Sequence, residues 1–129
     1  METGKPKVPL NEASIKTSEF EIQKNFHNWV EKHPDLIGFA IPNGVKSNSQ
    51  SVNIHKLIGF RPGAVDYICI APKAVLLIEF KTETGKTSSA QIKFLVAVIE
   101  LINKHKMKFL KHRICRSSHD AVLFVKENM

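Results

Sequence analysis

The sequence predicts an α/β protein: a mixed β-sheet of about four strands flanked by helices, in the order α-β-α-β-β-α-β-α. Three observations carry this. Apolar residues recur at helical spacing in "SEFEIQKNFHNWVEKH" and "SSAQIKFLVAVIELINKHK". Two β-rich apolar runs, "VDYICIA" and "AVLLIEFK", flank a proline turn, "APKA". The 129 residues, 43% of them hydrophobic, suit one domain around one core.

Residues 1–16 read as a flexible N-terminal arm, with prolines and lysines and no periodicity, and 17–129 as the single domain. In the first helix Ile22, Phe26, Trp29 and Val30 share a face, Ser18 and Glu21 form a capping-box pattern, and "HPD" stops the helix. "LIGFAIP" is a short strand. A second helix is expected over about 47–57, ended by Gly59. "RPGA" is a turn, and "TETGKT" is a polar loop after the second β-rich run. The long helix opens on a second capping-box pattern, Ser88 with Gln91. "MKFLKHRICR" is the last strand and "SSHDAVLFVKEN" a closing helix.

The net charge of +7 favours polyanionic partners, chiefly nucleic acid, although a merely soluble basic protein carries the same signature. No apolar run reaches membrane-spanning length, and the N-terminus lacks the apolar stretch of a signal peptide. Cys69 and Cys115 lie in apolar segments without metal-ligand spacing, so a reduced intracellular protein is expected, in cytoplasm or nucleoid. The six histidines are not at ligand spacing with one another and read as surface or packing residues.

The chemistry concentrates in "AVLLIEFKTETGK", where a strand destined for the interior carries Glu79 and Lys81. A four-residue turn at "APKA" gives a hairpin register that pairs Ile70 with Val75 and Ile68 with Leu77. The next pair is then Asp66 opposite Glu79, with Cβ atoms about 5 Å apart, where like charges repel. Such a pair needs a cation. Lys81 lies on the Glu79 face, and a divalent ion such as Mg²⁺ or Mn²⁺ suits hard oxygen ligands. The plain alternative is a Lys81–Glu79 salt bridge with Asp66 capping the turn after "RPG". Glu19 precedes Ile22 by three residues and Phe26 by seven, so it is expected on the buried edge of the first helix; a first-turn acid favoured by the helix dipole is the simpler reading.

The series "SEFEIQ", "FAIPNG", "LIGFRPGAVDY", "LLIEFKTETGKTSSAQ" and "CRSSHDA", over roughly residues 17–127, resembles a stand-alone VRR-NUC domain of the PD-(D/E)XK nuclease superfamily. The chain departs from that family's pattern at Val65, where a proline is usual, and at "NKHKMKF", where an aromatic-glycine step is usual. The resemblance implies a restriction-endonuclease-like core. It implies metal ligation by Asp66, Glu79, the Phe80 carbonyl and Glu19, a Lys81 that orients or deprotonates water, and a Gln91 beside the site. It also implies that Asn43 lines the site. Lys46, Arg61 and Lys86 would grip phosphates, though a solvated basic face is the default for each. The activity implied is Mg²⁺- or Mn²⁺-dependent hydrolysis of phosphodiester bonds in DNA, including structured DNA such as junctions or flaps, in settings such as DNA repair. RNA is a variant of that reading, and a catalytically inactive nucleic-acid-binding module of the same fold is the alternative.

The long helix is apolar on more than one side, with Ile92, Leu95, Val96 and Ile99 but also Phe94, Val98 and Leu101. Such a helix is buried all round or exposes a patch, and the expectation is a homodimer through that patch.

Overall fold

The hairpin forms in the register derived from "APKA", and the rest of the sheet grows from it. The computed structural model describes residues 18–42, 57–59 and 61–129. The expected arm, Asn43, Lys46 and the expected helix up to residue 56 lie outside the described residues. Within them the order is α1 (Glu19–Glu31), β1 (Ile37–Ala40), β2 (Tyr67–Ala71), β3 (Ala74–Phe80), α2 (Ser89–His105), β4 (Leu110–Cys115) and α3 (Ser118–Lys126). The four strands lie in sequence order. β1–β2 and β2–β3 are antiparallel, and β3–β4 is parallel across the α2 crossover, so the sheet is mixed.

Each helix starts where a hydroxyl can satisfy an orphan amide. Ser18 Oγ accepts the Glu21 N–H at 3.1 Å, and Ser117 Oγ accepts the Asp120 N–H at 2.9 Å. At α2 both halves of the box form, Ser88 Oγ accepting from Gln91 N–H and Gln91 Oε1 accepting from Ser88 N–H.

The core lies on one face of the sheet. Tyr67, Cys69, Leu76, Ile78 and Phe80 project there and meet Ile22, Phe26 and Val30 of α1 and Phe124 and Val125 of α3. Phe26 sits at the centre, with ring centroids 5.2 Å from Tyr67 and 5.7 Å from Phe80. Trp29, which the helical spacing puts on the same face, is partly buried and packs at the core's margin. Cys69 and Cys115 are buried and free; burial pushes their thiols up to about 11 and about 12, so both stay protonated at neutral pH.

The opposite face carries Asp66, Ile68, Val75, Leu77, Glu79 and His112, and α2 approaches it, with Phe94 against His112. α2 has no buried residue, and Ile92, Val96, Ile99 and Leu101 are 44–48% exposed. Of the two outcomes expected for this helix, the structure has the exposed apolar patch. Among the described residues no helix is long and apolar enough to cross a membrane.

The "RPGA" turn is tied to the start of α2. Ala64 N–H donates to the Arg61 carbonyl at 3.2 Å, and Gly63 adopts φ +82°, a left-handed conformation that glycine takes without strain. A Cβ on Gly63 would also overlap the carbonyl of Ala90 in the first turn of α2. Gly63→Ala is therefore expected to destabilise the fold by ~2–4 kcal/mol, measured by urea unfolding. It would also shift Asp66, three residues on, away from the group it faces.

Candidate functional site

The site lies at the end of the β2–β3 hairpin remote from its turn, where the strand run continues past its apolar section. Asp66 directly precedes β2. Its amide N–H donates to the Ile78 carbonyl at 3.1 Å, which keeps it in register opposite Glu79. Its side chain then turns across the hairpin end, where Asp66 Oδ2 accepts the Phe80 N–H at 2.8 Å. The backbone of β3 thus anchors the carboxylate that β2 supplies.

Glu79 and Lys81 are the two buried charged residues among those described, at 3% and 8% exposure. Glu79 hydrogen-bonds the Asp66 carboxyl and also accepts from Gln91 Nε2, at 2.7 Å, through Oε2. Burial, then the facing Asp66 carboxylate, push Glu79 up to about 8; Lys81 acts in the opposite direction and Glu19 adds slightly to the rise. At neutral pH Glu79 therefore holds a proton and donates it toward Asp66, an arrangement open to two acids that cannot both ionise at close range.

Lys81 makes no ion pair within 4.0 Å among the described residues, so the plain Glu79–Lys81 salt bridge is not what holds the strand end. Its backbone is fixed by donation from Lys81 N–H to the Cys115 carbonyl at 3.0 Å, which extends the parallel β3–β4 ladder by one residue. The ammonium is close enough to act electrostatically on Glu79 without closing onto it.

Glu19 departs from expectation. It occupies the first turn of α1 as an exposed residue rather than the buried edge. The reason is geometric: Ser18 caps the helix, so Glu19 sits before the first buried position, Ile22, where α1 has not yet met the sheet. Its charge still reaches Glu79. Gln91 takes both roles weighed for it, its amide oxygen in the cap and its amide nitrogen on Glu79. Phe80 meets the site through its amide N–H.

Arg61 is exposed with its guanidinium 5.5 Å from the Phe94 ring centroid, a cation–π contact that places a positive charge beside the opening of α2. Lys86 is exposed in the loop after Lys81. Arg116 stands out only in three dimensions, where its side chain binds that same loop. The signal for it is spatial: it follows the strand that pairs with Lys81, and only the parallel β3–β4 register reveals that.

Asp66, Glu79, Gln91 and Lys81 thus converge, with Glu19 at the margin. Among the described residues no three His, Cys, Asp or Glu side chains are grouped so as to hold a metal ion. The donor chemistry of the pair is of the kind a hard divalent cation takes: two facing carboxyls, the buried Glu79 kept neutral by burial and by the Asp66 charge opposite it. Mg²⁺ commonly retains several waters, so two protein carboxylates do not fall short of its needs. No family model, no curated protein and no solved structure matches the chain, and the reading of this site rests on its own geometry.

Proposed function

We propose that the protein is a metal-dependent nuclease hydrolysing phosphodiester bonds in DNA, with a restriction-endonuclease-like core of the VRR-NUC type. The observation that carries the reading is a half-buried Asp66 facing the buried Glu79, with the buried Lys81 within electrostatic reach and without an ion pair among the described residues. A structural ion pair would have closed; here Lys81 acts on Glu79 electrostatically without pairing with it.

On this reading Asp66 and Glu79 would hold Mg²⁺ or Mn²⁺, with water and the Phe80 carbonyl as further ligands, and Glu19 at the margin would act through water. When bound, the ion supplies Lewis acidity, lowering the pKa of a water and offsetting charge on the phosphate. The chain's own groups do the rest. Phe80 N–H fixes the Asp66 carboxylate, Gln91 fixes the Glu79 carboxyl, and Lys81 orients the attacking water or neutralises a phosphate oxygen. Arg61 and Lys86 lie exposed near the ends of the connecting loops, where backbone phosphates would be gripped.

The test is direct. Purified protein should nick DNA with Mg²⁺ or Mn²⁺ and stop with EDTA, and Lys81→Ala should lose cutting while retaining binding. Cutting unchanged in Lys81→Ala would remove the proposal. One observation favours the second reading, an inactive nucleic-acid-binding module: both acids already have protein hydrogen-bond partners. That reading predicts binding without cutting under every metal. The homodimer is proposed on the exposed apolar face of α2; an elution mass near the 14.6 kDa of one chain would remove it.

A further inference from the structure

We propose that Arg116 is a positioning residue for Lys81, acting by clamping the turn that follows it; this rests on the role given to Lys81 above. Arg116 Nη1 donates to the carbonyl oxygens of Thr82 at 2.8 Å, Glu83 at 3.4 Å and Gly85 at 2.7 Å. Two N–H groups thus serve three acceptors, one of them through a shared, longer bond. Three carbonyl dipoles converge on one guanidinium nitrogen, whose charge offsets their mutual repulsion.

The clamp is rigid at both ends. Arg116 sits between buried Cys115, the last residue of β4, and Ser117, the cap of α3. The turn it grips closes on itself through Gly85 N–H to the Thr82 carbonyl at 3.2 Å. Gly85 packs over the Lys81 stem, since a Cβ there would lie 3.6 Å from Lys81 Cδ and 2.9 Å from Thr82 Oγ1. Lys81 N–H is held by the carbonyl of Cys115, the residue before Arg116. Backbone on one side and the clamped turn on the other therefore fix the lysine beside the carboxylates and keep it buried. The connection is local: Arg116 itself is exposed, and its replacement removes no core contact.

The experiment compares Arg116→Met, which keeps the apolar stem without the cation, with Arg116→Lys, which keeps a cation with three donors. The first readout needs no activity. Acylation of surface lysines, followed by mass spectrometry in EDTA, should show Lys81 protected in the natural chain and labelled roughly fivefold faster in Arg116→Met, with Lys24 unchanged and partial protection restored in Arg116→Lys. Equal Lys81 labelling in all three would overturn the proposal. The second readout is cleavage. Arg116→Met should lower kcat about tenfold with KM within about twofold, and should cost nothing further in the residual single-turnover cleavage of a Lys81→Ala background. Additive losses would overturn the proposal, because Arg116 would then act without Lys81. Faster labelling in a protein that cuts no DNA would uphold the clamp and sink the nuclease reading, so the two failures are distinguishable.

Discussion

On the nuclease reading proposed above, Asp66→Asn is expected to leave a folded protein that binds DNA and cuts it at least about 10³-fold more slowly, a loss on the order of 4 kcal/mol of transition-state stabilisation. The folded state survives because the substituted amide keeps the geometry. It still offers an oxygen to the Phe80 N–H and an NH₂ group to Glu79, which no longer has to hold a proton. What is lost is one anionic oxygen ligand and the charge that would attract a cation. Single-turnover cleavage with Mg²⁺, beside urea unfolding of both chains, checks the result. Cleavage within tenfold of the natural chain would show that Asp66 is a hairpin-end cap and nothing more.

The second large effect is on stability and runs opposite to the ordinary carboxylate case. Glu79 is raised to about 8 in the folded chain and titrates near 4.5 once unfolded. Between those values the folded chain keeps a proton that the unfolded chain has released. Stability of the metal-free protein therefore falls as pH rises from about 4.5 through about 8, by on the order of 3–5 kcal/mol. Glu79→Gln removes that slope. Its amide oxygen can accept from Gln91 and its NH₂ group can donate to Asp66 at any pH, so at pH 9 the variant should be the more stable chain. Urea unfolding in EDTA at pH 6 and pH 9 measures this. A natural chain equally stable at both would remove the proton-sharing pair. Added Mg²⁺ should restore the alkaline stability of the natural chain and leave Glu79→Gln unmoved, since an ion that binds only the folded state adds its binding energy to stability.

Both effects arise because the site's acids are presented by a sheet end rather than by a flexible loop. The Asp66 amide is in the ladder and its side chain is tied to β3, so the pair cannot separate without breaking strand pairing. The repulsion is retained, and a proton relieves it in the absence of a metal. The same frame places Gln91 through the first turn of α2 and Lys81 through the β3–β4 ladder.

Much of this was legible in the chain itself. Turn chemistry at "APKA" set the hairpin register, because a two-residue connection admits one alignment of Ile70 with Val75, and that alignment faces Asp66 toward Glu79. Helical spacing fixed the core face of α1, and Ser18 and Ser88 marked the starts of α1 and α2; the Ser117 cap of α3 came from the structure. Tertiary structure alone decided the rest. The exposure of Glu19 depends on where α1 first touches the sheet, and the unclosed Lys81–Glu79 spacing depends on how the turn after Lys81 packs over its stem. The link from Arg116 to Lys81 depends on a parallel pairing of strands that α2 separates. Sequence patterns are local, with periods of two and 3.6 residues, so they report which face a residue takes. They do not report which distant segment meets that face, since contacts between remote elements are selected by how the whole core closes.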